Sequence, residues 1–74
     1  MAQHQLNAEG LNCPLPILKA KKALKDVPSG DVLEISATDP GSVADFAAFC
    51  NQTGNVLVSS SNDGGVYRFE IRRA

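Results

Sequence analysis

The segment Asn12-Cys13-Pro14-Leu15-Pro16 carries the one residue pattern in this chain with an evident chemistry. A proline is welcome at the first helical position, where its missing N–H has no intrahelical partner and its fixed φ already suits a helix. With Pro14 in that place, Cys13 is expected at the N-cap. Its sulfur then sits at the positive end of the helix dipole, beside the free N–H groups of the first turn. A thiol so placed ionises below its ordinary pKa of about 8.5, and the thiolate is the nucleophile in thiol–disulfide and persulfide exchange. Pro14 and Pro16 stiffen the turn and present the sulfur in one place. The bland alternative is that Cys13-Pro14 merely starts a helix. Ser, Asp or Asn would do that better, because sulfur is a weak acceptor.

Little else supports a self-contained active site. Acyl transfer needs a base and an oxyanion hole, and the one histidine, His4, falls on an expected strand with nothing tying it to Cys13. Moving a sulfane sulfur between thiols develops no tetrahedral oxyanion; it needs a thiolate, access and a partner thiol. The second cysteine, Cys50, falls on the apolar stripe of an expected helix and reads as core, which weighs against a Cys13–Cys50 redox pair. Two Cys, one His and no C-x-x-C spacing give no metal site, and no cofactor-binding loop is present.

The elements that position Cys13 follow from periodicity. In residues 3–8, His4, Leu6 and Ala8 share one side of a strand. After the loop Glu9–Asn12 comes a helix with Ile17, Ala20, Leu24 and Val27 on its apolar face, ended by Pro28-Ser29-Gly30. Residues 32–37 form a second strand with Leu33, Ile35 and Ala37 inward and Glu34 and Ser36 outward. A second helix is predicted over 42–53, with the stripe Val43, Phe46, Ala47 and Cys50, stopped by Gly54. Residues 55–61 are a third strand, Asn62-Asp63-Gly64-Gly65 a hairpin turn, and the last strand turns Tyr67, Phe69 and Ile71 inward against Arg68, Glu70 and Arg72. Sheets covered on both faces read as continuous apolar runs; these strands alternate. The expected fold class is therefore an α/β two-layer sandwich, βαβαββ, with a four-stranded mixed sheet and two helices on one face.

The 74 residues are expected to form a single domain over 1–74. A domain of this size buries only ~60% of its unfolded surface, so its chemistry should lie at the surface. No apolar run approaches the ~18–20 residues of a membrane span, and the first residues lack a signal-peptide pattern; the expectation is a cytoplasmic protein without membrane contact. A net charge of −1 argues against a nucleic-acid binder. Yet four of the seven basic residues, Lys19, Lys21, Lys22 and Lys25, lie in one segment. On the helical wheel Leu18 falls among Lys21, Lys22 and Lys25, away from the apolar stripe. That suits a docking surface for an acidic partner, against the plainer reading of a solvated face. Asp39, before Pro40, reads as a cap or turn residue. It ends the second strand, and the carboxyl ends of parallel strands face helix N-termini, which brings it toward Cys13.

Gly10-Leu11-Asn12-Cys13-Pro14-Leu15-Pro16 resembles the hallmark G-x-x-C-P-x-P of the TusA/SirA family, and the likeness continues through Pro28-Ser29-Gly30, Thr38-Asp39-Pro40, Phe49-Cys50, Gly54 and Tyr67-Arg68-Phe69. The resemblance implies a βαβαββ sandwich that carries sulfur on Cys13 as a persulfide or thiosulfonate, supported by Pro14, Pro16 and Asp39. It implies a sulfur donor, a cysteine desulfurase or rhodanese-like protein, and an acceptor sulfurtransferase of the DsrE-like or TusD-like kind. In such a relay the chain is a carrier rather than a stand-alone enzyme, monomeric on its own and without a cofactor. Family members that serve tRNA thiolation often have Arg where this chain has Ala44, and residues Leu11–Leu18 are similar to members from sulfur-oxidising bacteria. Oxidative sulfur metabolism and tRNA or cofactor thiolation both stay open. The family fold also resembles the C-terminal domain of a bacterial translation initiation factor, which sets the alternative of a nucleic-acid-binding regulatory module. Only the lysine helix favours it: Phe46, Phe49, Tyr67 and Phe69 read as core or edge, not as a stacking platform.

Overall fold

A computed structural model of the chain describes residues 3–12 and 14–74. The element order is β1 (Gln3–Ala8), α1 (Leu15–Leu24), β2 (Val32–Ala37), α2 (Ser42–Thr53), β3 (Val56–Asp63) and β4 (Val66–Arg72). The strands form one mixed sheet in the order β1-β2-β4-β3. β1 and β2 are parallel, pairing Gln3 with Val32 through Ala8 with Ala37. β4 runs antiparallel to both β2 and β3.

The alternation read from the sequence sets which face is covered. Ala8, Leu33, Ile35, Ala37, Phe69 and Ile71 are buried on one side of the sheet, where they meet Ala20, Leu24 and Val27 from α1 and its end, and Phe46 and Cys50 from α2. α1 lies against β1 and β2, α2 against β3 and β4, and the helices touch each other. The Phe46 and Phe69 rings, with centroids 4.7 Å apart and planes tilted by 34°, join α2 to β4 at a separation that favours aromatic pairing. This is the expected two-layer sandwich with both helices on one face.

Some details differ from expectation. On α2 the core-facing positions are Ser42, Phe46 and Cys50, with Phe49 half-buried, while Val43 and Ala47 are exposed. Ser42 takes a core-facing place because its hydroxyl is satisfied locally, donating to the Asp39 carbonyl at 2.6 Å. With Ser42, Phe46 and Cys50 facing the core, Val43 lies off that face at 42% exposure. α2 ends where expected: Gly54 is left-handed at φ 79 and its N–H reaches the Cys50 carbonyl, a conformation glycine adopts without a Cβ penalty.

β3 runs past Ser61 to Asp63, leaving Gly64 and Gly65 alone as the turn, with Asp63 opposite Val66. A register shift between Leu57 and Ser59 bends this edge strand. On the uncovered face Arg68 is exposed, but Glu34, Ser36 and Glu70 are half-buried rather than exposed. They sit on the two central strands, so neighbouring side chains flank them; Gln3, for example, donates to the Glu34 carboxylate at 3.3 Å. Among the described residues no helix is long and apolar enough to cross a membrane.

Candidate functional site

The parallel pairing of β1 and β2 puts their carboxyl ends side by side, and the two loops that follow meet there. The first loop, after Ala8, leads into α1 and carries the Cys-Pro-Leu-Pro segment. The second, Thr38–Gly41, leads into α2. The Gly10 N–H donates to the Thr38 hydroxyl oxygen at 2.9 Å. Gly10 has φ +79 with open space where a Cβ would stand, so glycine is needed there for the backbone turn rather than for room.

Cys13, the residue on which the sequence reading turns, lies outside the described residues. The Leu15 N–H donates to the Asn12 carbonyl at 2.8 Å, and the Leu18 N–H to the Pro14 carbonyl at 3.1 Å. The second of these bonds opens the helical ladder, so Pro14, at φ −97 and ψ 16, occupies the N-cap position and Leu15 begins α1. The sequence placed Pro14 at the first helical position and Cys13 at the cap; the helix starts one residue later. A tight turn closed by the Asn12–Leu15 bond takes the place of that first helical residue. No acidic residue stands in the first turn of α1, while Lys21 and Lys22 lie in its last turn. The positive end of the helix dipole is therefore not offset by an acidic side chain of its first turn, and the negative end is matched by cations.

The remaining candidates separate by burial. Pro16 is fully buried and fastens the helix start to the core, whereas Pro14 is exposed. Of the cap and turn roles read for Asp39, the structure shows the turn: its carboxylate accepts the Gly41 N–H at 3.1 Å, and Gly41 itself is the N-cap of α2. The Asp39 carbonyl accepts the Ser42 N–H at 3.0 Å and the Ser42 hydroxyl. Leu18 is 54% exposed, and Lys21 and Lys22 are exposed. Lys19 belongs elsewhere: its ammonium donates to the Asn7 carbonyl at 2.8 Å, covering part of the β1 edge. Cys50 is a free, buried thiol, and burial pushes it above its ordinary pKa.

Sequence reasoning missed three features of this end. Thr38 is the acceptor that joins the loops. Leu15, 49% exposed, adds a second apolar side chain beside Leu18; its i, i+3 spacing from Leu18 was the available signal. A shallow groove of about 230 Å³ runs between the helices beside Pro14, lined by Ile17, Asp45, Ala48, Phe49 and Gln52. No sequence pattern marks it, because it arises from how α1 and α2 lie against each other. Among the described residues no group of three or more His, Cys, Asp or Glu could hold a metal ion.

The family model for the sulfurtransferase TusA matches residues 4–73. The sulfur carrier protein TusA of Allochromatium vinosum is 57% identical over 70 residues, covering 95% of this chain and 92% of that protein. A putative sulfur carrier protein of Neisseria meningitidis is 50% identical over 72 residues, 97% of each chain. The Pseudomonas putida TusA is 35% identical over 68 residues, 92% of this chain and 85% of its own length. The chain belongs to the TusA sulfurtransferase family.

Proposed function

We propose that the protein is a sulfur carrier that holds sulfur on Cys13 and relays it between proteins, the 74 residues acting as one domain. The observation that carries this reading is the Cys-Pro-Leu-Pro segment itself. It stands on the loop that enters α1, in a chain 57% identical to a sulfur carrier protein over nearly its whole length. In the loading step the Cys13 thiolate attacks the outer sulfur of a donor persulfide. The donor S–S bond breaks, the donor thiolate leaves, and Cys13 becomes the persulfide. An acceptor thiolate then attacks that outer sulfur and releases the Cys13 thiolate. With tetrathionate the same attack expels thiosulfate and leaves a thiosulfonate on Cys13. Neither step needs a base beyond the thiolate itself, and a helix N-terminus favours both the thiolate and an anionic cargo.

The donor is a cysteine desulfurase or rhodanese-like protein, and the acceptor a DsrE-like or TusD-like sulfurtransferase. Leu18, Lys21 and Lys22 form the docking face for an acidic partner. Their exposure on the helix that follows Cys13 supports this, as does the absence of acidic residues from α1.

Intact mass after incubation with a cysteine desulfurase and cysteine, or with tetrathionate, tests the proposal. Wild type should gain one sulfur atom or one thiosulfate group, removable by dithiothreitol. Cys13→Ser should gain neither, and Cys50→Ser should load like wild type. A Cys13→Ser protein that loads as well as wild type refutes the reading.

A further inference from the structure

The mechanism above uses Cys13 and the start of α1, but nothing in it says what keeps the loop from Glu9 to Pro14 in register with the rest of the molecule. A loop that leaves a parallel strand is covalently anchored only at its ends. Its near end turns sharply at Gly10, whose φ of +79 belongs to the most permissive residue in the chain. Such a position can be fixed only by what its neighbours bond to. The Gly10 N–H is bonded to the hydroxyl of Thr38, on the other loop, at 2.9 Å.

Thr38 is itself held firmly. It follows directly on Ala37, which is buried and paired with both Ala8 and Tyr67. It precedes Asp39, whose carboxylate and carbonyl hold Gly41 and Ser42 at the start of α2. The hydroxyl of Thr38 therefore transmits the position of β2 and α2 to the loop that carries Cys13. Gly10 and Asn12 are exposed, while Leu11 is half-buried against the core. The loop thus has a hydrogen bond at Gly10, an apolar contact at Leu11 and the turn bond from Leu15 to Asn12. Of these three, the first alone comes from a side chain on a different loop.

We infer that Thr38 is a positioning residue for sulfur transfer: its hydroxyl fixes the Cys13 loop against the start of α2. It does not touch the reacting atoms. By fixing Gly10 it holds the loop that runs into the N-terminus of α1, an end that favours a thiolate. The inference rests on the carrier reading for its functional meaning, but the bond and its effect on the thiol can be judged apart from it.

The test uses the full chain with Thr38→Val, which keeps the branched shape and cannot accept the bond, and Thr38→Ser, which keeps the hydroxyl. Thr38→Ala serves as a second loss variant should valine perturb folding. Thr38 is exposed, so urea midpoints should stay close to wild type. Losing one such bond should speed Gly10 amide exchange about fivefold. Alkylation of Cys13 by iodoacetamide at pH 7 should slow by a similar factor. With a cysteine desulfurase as donor, kcat for loading should fall about fivefold while KM stays nearly constant. Thr38→Ser should restore all three. A purely structural role would lower the urea midpoint without this split and without rescue of the alkylation rate. Unchanged alkylation and kcat in Thr38→Val and Thr38→Ala, with Gly10 exchange raised, overturns the inference, as does failure of serine to rescue. If wild type takes up no sulfur at all, the carrier reading fails instead. Alkylation and Gly10 exchange then decide the role of Thr38.

Discussion

The contrast between the two cysteines can be put as a rate ratio. Cys50 is 5% exposed, on the core side of α2, and burial raises its pKa. Iodoacetamide reacts with an accessible thiolate, so the folded protein must open before Cys50 reacts. At roughly 0.05–0.15 kcal/mol per residue, a chain of this length is stabilised by about 4–11 kcal/mol. Each 1.4 kcal/mol is about a factor of ten in population, so even the lower bound holds the open form near one molecule in about 10³. Cys50 should therefore label at least about 10³ times more slowly than an unprotected thiol, while Cys13 labels at or above the free rate. The assay is brief labelling at pH 7 in buffer and in 8 M urea, followed by peptide mass mapping. In urea the two rates should converge. If Cys50 labels within about tenfold of Cys13 in buffer, the burial argument fails, and the two cysteines cannot be assigned separate roles on these grounds.

Other outcomes follow from the same structure. Lys21→Glu with Lys22→Glu should slow transfer to a protein acceptor by about tenfold at low salt, with a smaller deficit at high salt as exposed charges are screened; stopped-flow transfer at two salt concentrations checks it. Phe46→Ala removes a fully buried ring packed against Phe69 and should cost about 3–5 kcal/mol in urea unfolding, enough to leave the domain marginal. Gly54→Ala places a Cβ on the left-handed residue that ends α2 and should cost about 1 kcal/mol by the same measurement. The raised Cys50 pKa means that above the ordinary thiol range the unfolded chain releases a proton that the folded chain keeps. That contribution is fully present below the unfolded pKa of about 8.5 and is lost as pH rises through the folded value. Stability of wild type should accordingly fall relative to Cys50→Ala over that alkaline range.

Much of this architecture was legible in the sequence, and the misses have physical causes. Period-two alternation identified Leu33, Ile35, Phe69 and Ile71 as one buried face, because each such strand has only one covered side. The bounds of α2 were legible because Gly54 must stop a helix that apolar spacing had begun. Its facing was misjudged at Val43 and Ala47. Hydrophobicity ranks Val43 above Ser42, but Ser42 satisfies its hydroxyl on the Asp39 carbonyl and can face inward. The start of α1 slipped by one residue for a related reason: a turn bond from Leu15 to Asn12 competes with the helix at its first residue. The Thr38–Gly10 bond was out of reach, since it joins distant parts of the chain and needs the strand register before it can be seen.

That register explains how a chain with so little interior gathers two loops and both helix starts at one end. Had β1 and β2 been antiparallel neighbours, the loop after β1 and the loop after β2 would open at opposite ends of the sheet. Parallel pairing of Ala8 with Ala37 instead delivers both loops, and the start of each helix, to the same end. There Thr38 can bond to Gly10 and Asp39 can hold the turn into α2, so one loop is braced by the other without a third layer. A deep cleft would need a larger core than these 74 residues provide. Sulfur exchange does not ask for one: the outer sulfur must be reachable by a second protein's thiolate, in a line that a closed pocket would obstruct. At the start of α1, Leu15 and Leu18 are exposed and the groove beside Pro14 is shallow. The two parallel strands beneath supply the rigidity that a surface site otherwise lacks.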